Sequence, residues 1–340
     1  MGNRRNVTAL ALTYVGTVIG AGFASGQELL YFFVRFGSAG LWGTWLAGLG
    51  FMVLGAIIFQ LAHTRGITSY HLLLNYLLGR KLGPLADLWL SLYLFAGLVI
   101  MLAGCGALFE EYLSLPGRIG VGLSSLILML FLFRREQGVL AFNLLLVPAI
   151  IGGAFLIAVL AGGGGSSSLA TEADSVSLGW IVSVILYVSY NMISGLVLLV
   201  KFSDGNGATG LRGVVVGGLL LGILAWMLTK VLLENYQAVG QLEVPLLYLA
   251  HREGAWLGYG YGIVLWLAML TTAVVNGGGL AFRLSNEYLP YSFLVTVLLA
   301  MAALLSNAGF SLLVRTLYPL FGYLNLVVMT AVLYRYFRAC

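Results

Sequence analysis

Charged residues make up only 9% of the 340-residue sequence, which also has just two cysteines, three histidines and six prolines. Each scarcity excludes something. Soluble domains carry about 25% charged residues, so no ordinary water-facing surface can be assembled from this composition. Cys105 lies inside a long apolar run and Cys340 is the last residue, which leaves no disulfide framework and makes both structural or incidental. His63, His71 and His251 fall at the edges of apolar segments without metal-ligand spacing, and read as interfacial groups. The chain has no GxxxxGK[ST] phosphate loop, no Ser/His/Asp set and no paired-acid cleft, which argues against catalysis and against ATP-driven work by this chain alone.

What is abundant is apolar. Hydrophobic residues reach 61% and the mean hydropathy is +1.00, more than a single soluble core can hide. Stretches of the roughly 20 apolar residues needed to cross a bilayer recur along the whole length. Ten are read, at 6–34, 38–62, 84–111, 117–133, 138–161, 178–201, 211–235, 255–284, 290–306 and 311–337. They are continuously apolar and lack the alternation of a membrane barrel, so the predicted fold class is an all-α integral membrane protein of ten transmembrane helices. Arg4 and Arg5 imitate the start of a signal peptide, but the run behind them is too long for one.

Basic residues set the expected orientation. With the amino terminus inside, Arg4, Arg5, Arg65, Arg80, Lys81, Arg134, Arg135, Lys201, Arg212, Arg283, Arg335 and Arg338 are cytoplasmic, against Arg35, Arg118, Lys230, Arg252 and Arg315 outside, twelve to five. Both termini are then cytoplasmic. The net charge of +5 reports this asymmetry and no nucleic-acid partner, because no basic and aromatic array stands outside the membrane. Lys230, Glu234 and Arg315 are expected to reach the outer interface by snorkelling.

The clearest shift in composition is the Gly/Ser-rich and then acidic stretch 161–179, which divides the chain near residue 170. It separates two halves, 6–161 and 178–337, within one transmembrane domain. Each half holds an odd number of spans, so the second inserts upside down relative to the first, the inverted-repeat arrangement of secondary transporters.

Within span one, "YVGTVIGAGFASGQELLYFF" places Gly16, Gly20, Gly22 and Gly26 mid-membrane. The corresponding part of span six, "YVSYNMISG", runs from Tyr187 to Gly195 and forms a polar island. Taken singly, such Ser, Asn and Gly residues are packing groups as readily as ligands. As a pair, they predict two interrupted helices. A break frees carbonyls on one half-helix and N–H groups on the next, both costly in lipid unless something binds them. Carbonyls from Gly16 to Ile19 suit a cation; the N–H groups near Gly22 to Ser25 suit an anion such as a carboxylate.

The substrate-binding candidates are therefore Thr17, Gly20, Ala21, Gly22, Ser25, Tyr187, Tyr190, Asn191 and Ser194. Gln27 and Glu28 are gating candidates. In a straight helix Glu28 stands about 12 Å beyond the break, near the outer hydrocarbon edge, at about 1.5 Å per residue. There it reads as an outer gate, a proton acceptor, a contact for an ammonium group, or a group reaching the headgroups. Asn276, before a run of glycines, is expected to mark a distortion in span eight, and Pro319 with Asn325 a bend in span ten.

"GTVIGAGFASGQE" in span one and "YVSYNMISG" in span six resemble the YkvI-type bacterial membrane proteins of the amino acid–polyamine–organocation superfamily, along the whole chain. The resemblance implies the five-plus-five inverted-repeat fold of the leucine transporter, a bacterial inner-membrane location, and first and sixth helices unwound at a central site. In sodium-coupled proteins of that fold, two first-helix carbonyls three residues apart join an Ala carbonyl and two hydroxyls on the eighth helix. "AMLTT" in span eight matches that pattern, so the resemblance implies an ion site at Gly16, Ile19, Ala268, Thr271 and Thr272. The rival for the threonines is a bond to a carbonyl of their own helix. A lysine on helix five replaces the ion in proton-coupled relatives; span five has no Lys, Arg or His, only Asn143. Phe23 stands where a second sodium site needs Asn.

The expectation is a sodium-coupled symporter of a small organic solute such as an amino acid, working in the lipid bilayer by alternating access. A proton-coupled transporter using Glu28, and a membrane sensor keeping the same site without transport, are the alternatives.

Overall fold

The computed structural model describes residues 2–79, 83–134, 139–162, 178–203 and 207–339. Arg80, Lys81, Arg135 and nearly all of the 161–179 stretch lie outside them, as do the side chains of Arg4, Arg5 and Asn143. The described residues form helices and no strand: α1 (Gly2–Val18), α2 (Ala21–Ser25), α3 (Gln27–Phe32), α4 (Gly37–Arg65), α5 (Tyr70–Leu78), α6 (Gly83–Leu113), α7 (Gly117–Phe133), α8 (Val139–Leu160), α9 (Gly179–Ser203), α10 (Gly207–Glu234), α11 (Tyr236–Val239), α12 (Pro245–Glu253), α13 (Ala255–Leu284), α14 (Tyr291–Leu305) and α15 (Phe310–Ala339).

Among the described residues, seven helical stretches are long and apolar enough to cross a membrane: Gln27–Arg65, Leu88–Leu113, Gly179–Ser203, Gly207–Glu234, Ala255–Leu284, Tyr291–Ala308 and Phe310–Arg338. The three other expected spans, at 6–34, 117–133 and 138–161, correspond to α1 with α2 and α3, to α7 (Gly117–Phe133) and to α8 (Val139–Leu160). The first is broken.

Packing between helices relies on close backbone approach, as expected where apolar lipid provides no hydrophobic drive between them. At the crossing of α4 and α10, a methyl added to Gly48 would lie 2.7 Å from the Gly222 Cα, and one added to Gly218 would lie 2.6 Å from the Met52 nitrogen. Beyond that pair, α6 packs on α13, α7 on α14, and α1 on both α9 and α10. Hydrogen bonds fix several crossings: Tyr14 Oη donates to Phe51 O at 3.0 Å, Trp266 Nε1 to Ser124 Oγ at 3.0 Å, and Tyr336 Oη to Gln60 Oε1 at 2.8 Å.

The sequence expectations for spans six, eight and ten need correction. The sixth span is not interrupted: α9 runs unbroken through Tyr187 to Gly195. Ser189 ties α9 to α15, with Ser189 Oγ donating to Gly322 O at 2.8 Å and Asn325 Nδ2 to Ser189 O at 2.5 Å, while Asn191 Nδ2 bonds within α9 to Tyr187 O at 3.1 Å. With no proline or paired glycine in that segment, and these polar side chains bonded across helices or within α9, nothing drives the backbone out of its ladder. Likewise α13 continues through Asn276, whose amide lies against Gly97 of α6. Asn325 serves as a tie to α9, while Pro319 sits inside an uninterrupted α15.

Candidate functional site

The break in the first span lies at Ile19 and Gly20. Gly20 adopts φ −88° and ψ −178°, an extended conformation between α1 and α2. Its N–H turns back to Val18 O at 3.0 Å, and Ala24 N–H donates to Gly20 O at 3.0 Å. Among the described residues no backbone donor meets the carbonyls of Gly16, Thr17 or Ile19, and the N–H groups of Ala21, Gly22 and Phe23 meet no backbone acceptor. These are the freed groups the sequence led one to expect. The second half is shorter than expected, however. After the five residues of α2, Gly26 takes φ 89° and interrupts the chain again before α3. A helix this short sums few peptide dipoles, so its attraction for an anion is small.

The double interruption carries Glu28 to a place the straight-helix estimate missed. Its carboxylate is 3% exposed and folds back over Gly22: a methyl on Gly22 would come within 3.0 Å of the Glu28 carboxyl carbon and 3.1 Å of Tyr318 Oη. Glu28 Oε2 accepts a short hydrogen bond from Tyr190 Oη. Glu28 is thus no group reaching for headgroups but part of the same cluster as the break, because Gly26 turns the chain before the side chain begins. Among the described residues it is the only buried acidic or basic side chain, and no Lys, Arg or His pairs with it.

Aromatic rings surround it. Tyr190 stacks on Tyr318 with centroids 4.7 Å apart and planes at 15°, and on Phe32 at 5.6 Å and 18°. Tyr187 of α9 packs edge-on to Tyr190 at 5.7 Å. Tyr93 of α6 shares a hydrogen bond of 3.2 Å with Ser194 Oγ and meets Phe321 edge-on at 5.2 Å. The candidates Tyr190 and Tyr187 are therefore brought to Glu28, and Ser194 to Tyr93. Tyr93 and Tyr318 were missed by sequence reasoning; a tyrosine well inside an apolar span is the signal that could have found them.

The other candidates fall around this cluster. Ser25 Oγ donates to Gly22 O at 2.7 Å and receives Gln27 N–H at 3.2 Å, a local turn bond that fixes the Gly26 corner. Gln27 is fully buried, its Nε2 bonded to Leu242 O in the segment before α12 and its Oε1 without a partner among the described residues. Tyr261 of α13 donates to Ala24 O at 2.6 Å. Residues 21–30 are all buried, whereas Gly16, Thr17 and Gly20 are partly exposed, and a methyl at Gly20 would meet no atom within 4 Å. The break is therefore open on its α1 side and covered on its α3 side. Thr17 Oγ1 bonds back to Thr13 O at 2.8 Å, and Asn191 to its own helix, so neither side chain is committed to another element.

Of the five ion-site candidates, Gly16 and Ile19 share the break, with a Gly16 side chain position blocked by Val147 of α8. Thr271 Oγ1 donates to Ala268 O at 3.0 Å, the bond within its own helix that any membrane hydroxyl can make. Ala268 is buried, Thr271 and Thr272 half-buried. The described hydrogen bonds join Thr271 to Ala268 and join neither to Gly16 or Ile19. His251, read as interfacial, pairs with Tyr112 Oη at 2.7 Å, and Lys230 pairs with Glu234 at 3.8 Å near the end of α10.

An all-helical bundle with apolar spans and a broken first helix around a buried polar centre is the build of a multi-pass membrane protein. In fold it is similar to the manganese transporter of Eremococcus coleocola. A histidine-to-alanine variant of that protein matches with a TM-score of 0.59 at 14% identity, over 94% of this chain and 76% of that one. The same transporter in complex with an aromatic bis-isothiourea substituted compound matches with a TM-score of 0.56 at 14% identity and the same coverage. In sequence the chain is similar to two proteins of Bacillus subtilis (strain 168): the uncharacterized membrane protein YkvI, 27% identical over 97% of this chain and 96% of that protein, and the uncharacterized protein YyaD, 29% identical over 95% and 94%. The YkvI-type resemblance seen at spans one and six thus extends over nearly the whole length. No protein-family profile matches the chain.

Proposed function

We propose that the protein is a secondary active transporter of a small organic solute, working by alternating access, with the solute held at the break between α1 and α2. The observation that carries this reading is the interruption at Ile19 and Gly20, where backbone carbonyls stand unpaired inside an apolar bundle. Such backbone is tolerated at membrane depth only where protein or a water-filled cavity receives it. A site open on one side and covered on the other is what alternating access requires, and the fold likeness to a transporter supports it.

The pairings α4 with α10, α6 with α13, α7 with α14 and α1 with α9 support two halves, 6–161 and 178–337, related as an inverted repeat, since they join second to seventh, third to eighth, fourth to ninth and first to sixth spans. The charge asymmetry supports cytoplasmic termini in a bacterial inner membrane. Sodium is the coupling ion on this reading, with Gly16 and Ile19 supplying carbonyls and Ala268, Thr271 and Thr272 the remaining oxygens. Neutral oxygens suit a hard monovalent cation that must leave again on each cycle. An amino acid is the first solute to try. A second reading, proton coupling through Glu28, is favoured by the burial of that carboxylate without a basic partner among the described residues.

Reconstitution into liposomes tests these readings together. Accumulation of a labelled amino acid above its external concentration, driven by an inward sodium gradient and lost when choline replaces sodium, is the expected result. Accumulation driven equally by a pH gradient in choline supports the second reading. Solute binding without accumulation under either gradient makes the protein a sensor and removes the transport reading.

A further inference from the structure

Glu28 poses a chemical problem that transport in general does not solve. A carboxylate buried in an apolar bundle without a Lys, Arg or His partner among the described residues is costly unless a proton or a cation accompanies it. One oxygen, Oε2, is occupied by Tyr190. The other, Oε1, lies against Gly22, two residues from the open space at Gly20, and accepts no hydrogen bond among the described residues. Tyr318 Oη converges on the same point, and the carbonyls of Gly16, Thr17 and Ile19, three to six residues before Gly22 in the chain, meet no backbone donor among the described residues.

The carboxylate and the carbonyls are acceptors, and the Tyr318 hydroxyl both donates and accepts. A proton would fill one of them; a primary ammonium, with three donors and no acceptor, fills several. The Phe32, Tyr190 and Tyr318 stack walls the carboxylate with rings, whose faces and edges exclude water and favour an organic cation over a hydrated one. A divalent metal ion is a poorer match: among the described residues no three His, Cys, Asp or Glu side chains come together, whereas such ions take several anionic or imidazole ligands.

We infer that Glu28, with Tyr318 and the carbonyls at the break, binds a protonated amine of the transported solute, held in place by Tyr190. This rests on the transport reading for the word "transported", but the binding stands on its own geometry. Gly22 is the enabling residue, because any side chain there would displace Oε1.

The test is thermal unfolding of the purified full chain with matched probes: cadaverine against 1,5-pentanediol, L-leucine against 2-hydroxy-4-methylpentanoate, and phenethylamine against 2-phenylethanol, with MnCl2 alone as the metal arm. At least one amine should raise the unfolding midpoint while its hydroxyl partner does not. In Glu28→Gln, which keeps the shape and the Tyr190 contact, the apparent affinity for that amine should fall about 10- to 100-fold, the loss of one charge-assisted bond. Gly22→Ala, which leaves the carboxylate in the chain but moves it, should weaken the same amine. The inference is overturned by hydroxyl partners that match the amines, by amine binding undiminished in Glu28→Gln, by stabilisation from MnCl2 that depends on Glu28, or by failure of every amine. Uptake of a non-amine solute by both wild type and Glu28→Gln would end this inference and keep the transport reading. Glu28-dependent amine binding without uptake would do the reverse.

Discussion

Gly20→Ala separates the function of the break from the stability of the fold. Glycine is commonly needed for a left-handed backbone or for close packing, and Gly20 needs it for neither. Its φ of −88° and ψ of −178° are open to any residue, and a methyl there meets no atom within 4 Å. Replacing Gly by Ala under those conditions stabilises by about 0.4–1 kcal/mol, because the unfolded chain has less freedom to lose. The same substitution at Gly40 goes the other way. Its methyl would run into the carbonyl of Phe33, a backbone obstacle that forces α4 off the turn before it, at a cost of about 1–3 kcal/mol. The assay is thermal unfolding of both variants in one detergent, alongside solute uptake by Gly20→Ala and Gly20→Val. Gly20→Ala should unfold at or above the wild-type midpoint and Gly40→Ala below it. Gly20→Val, whose branches fill the open space, should keep the fold and lose uptake. If Gly20→Ala unfolds as early as Gly40→Ala, residue 20 is packed or helical and the argument from a broken helix fails.

Other outcomes follow from neighbouring contacts. Tyr190→Phe removes the donor to Glu28 Oε2 and should destabilise by about 1–3 kcal/mol; in a double-mutant cycle with Glu28→Leu, which removes the acceptor, the two losses should not add, and simple additivity would mean the bond does not hold Glu28. Gly26→Ala forces a β-carbon into a left-handed residue at φ 89° and against Leu246 at 2.9 Å, so it should cost more than the 1–2 kcal/mol or so of the backbone penalty alone, read as a lowered midpoint. Thr271→Val with Thr272→Val should leave the fold intact, since the hydroxyl bond seen for Thr271 stays within its own helix, and should abolish any stabilisation by sodium chloride over choline chloride. An unchanged sodium response removes these threonines from the ion site.

The glycines of span one made its interruption legible, because breaking a membrane helix needs residues that leave the ladder cheaply, and that requirement is local. The continuity of α9 was not legible. Whether Ser189 breaks a helix or ties it depends on its partners Gly322 and Asn325, more than 130 residues away, and sequence periodicity carries no information about them. The depth of Glu28 was misjudged for a related reason: a rise per residue applies to a straight helix, and one left-handed residue at Gly26 cancels it. Tyr93 and Tyr318 escaped because each looks like an ordinary apolar-span aromatic until α6, α9 and α15 are brought together. The ion-site residues stand between these cases, since the pattern on α13 is readable, whereas its approach to the break depends on how helices pack.

The account rests on a water-accessible break at mid-membrane that faces each side in turn. Gly20→Cys, in a chain whose two cysteines are replaced by serine, measures this directly when an impermeant thiol reagent is applied to right-side-out and to inside-out vesicles. The account predicts labelling from the α1 side at rest, slowed by bound solute, and labelling from the opposite side under conditions that drive transport. A cysteine at residue 20 that stays unlabelled from both sides would mean the segment is sealed in lipid or protein, and would contradict it.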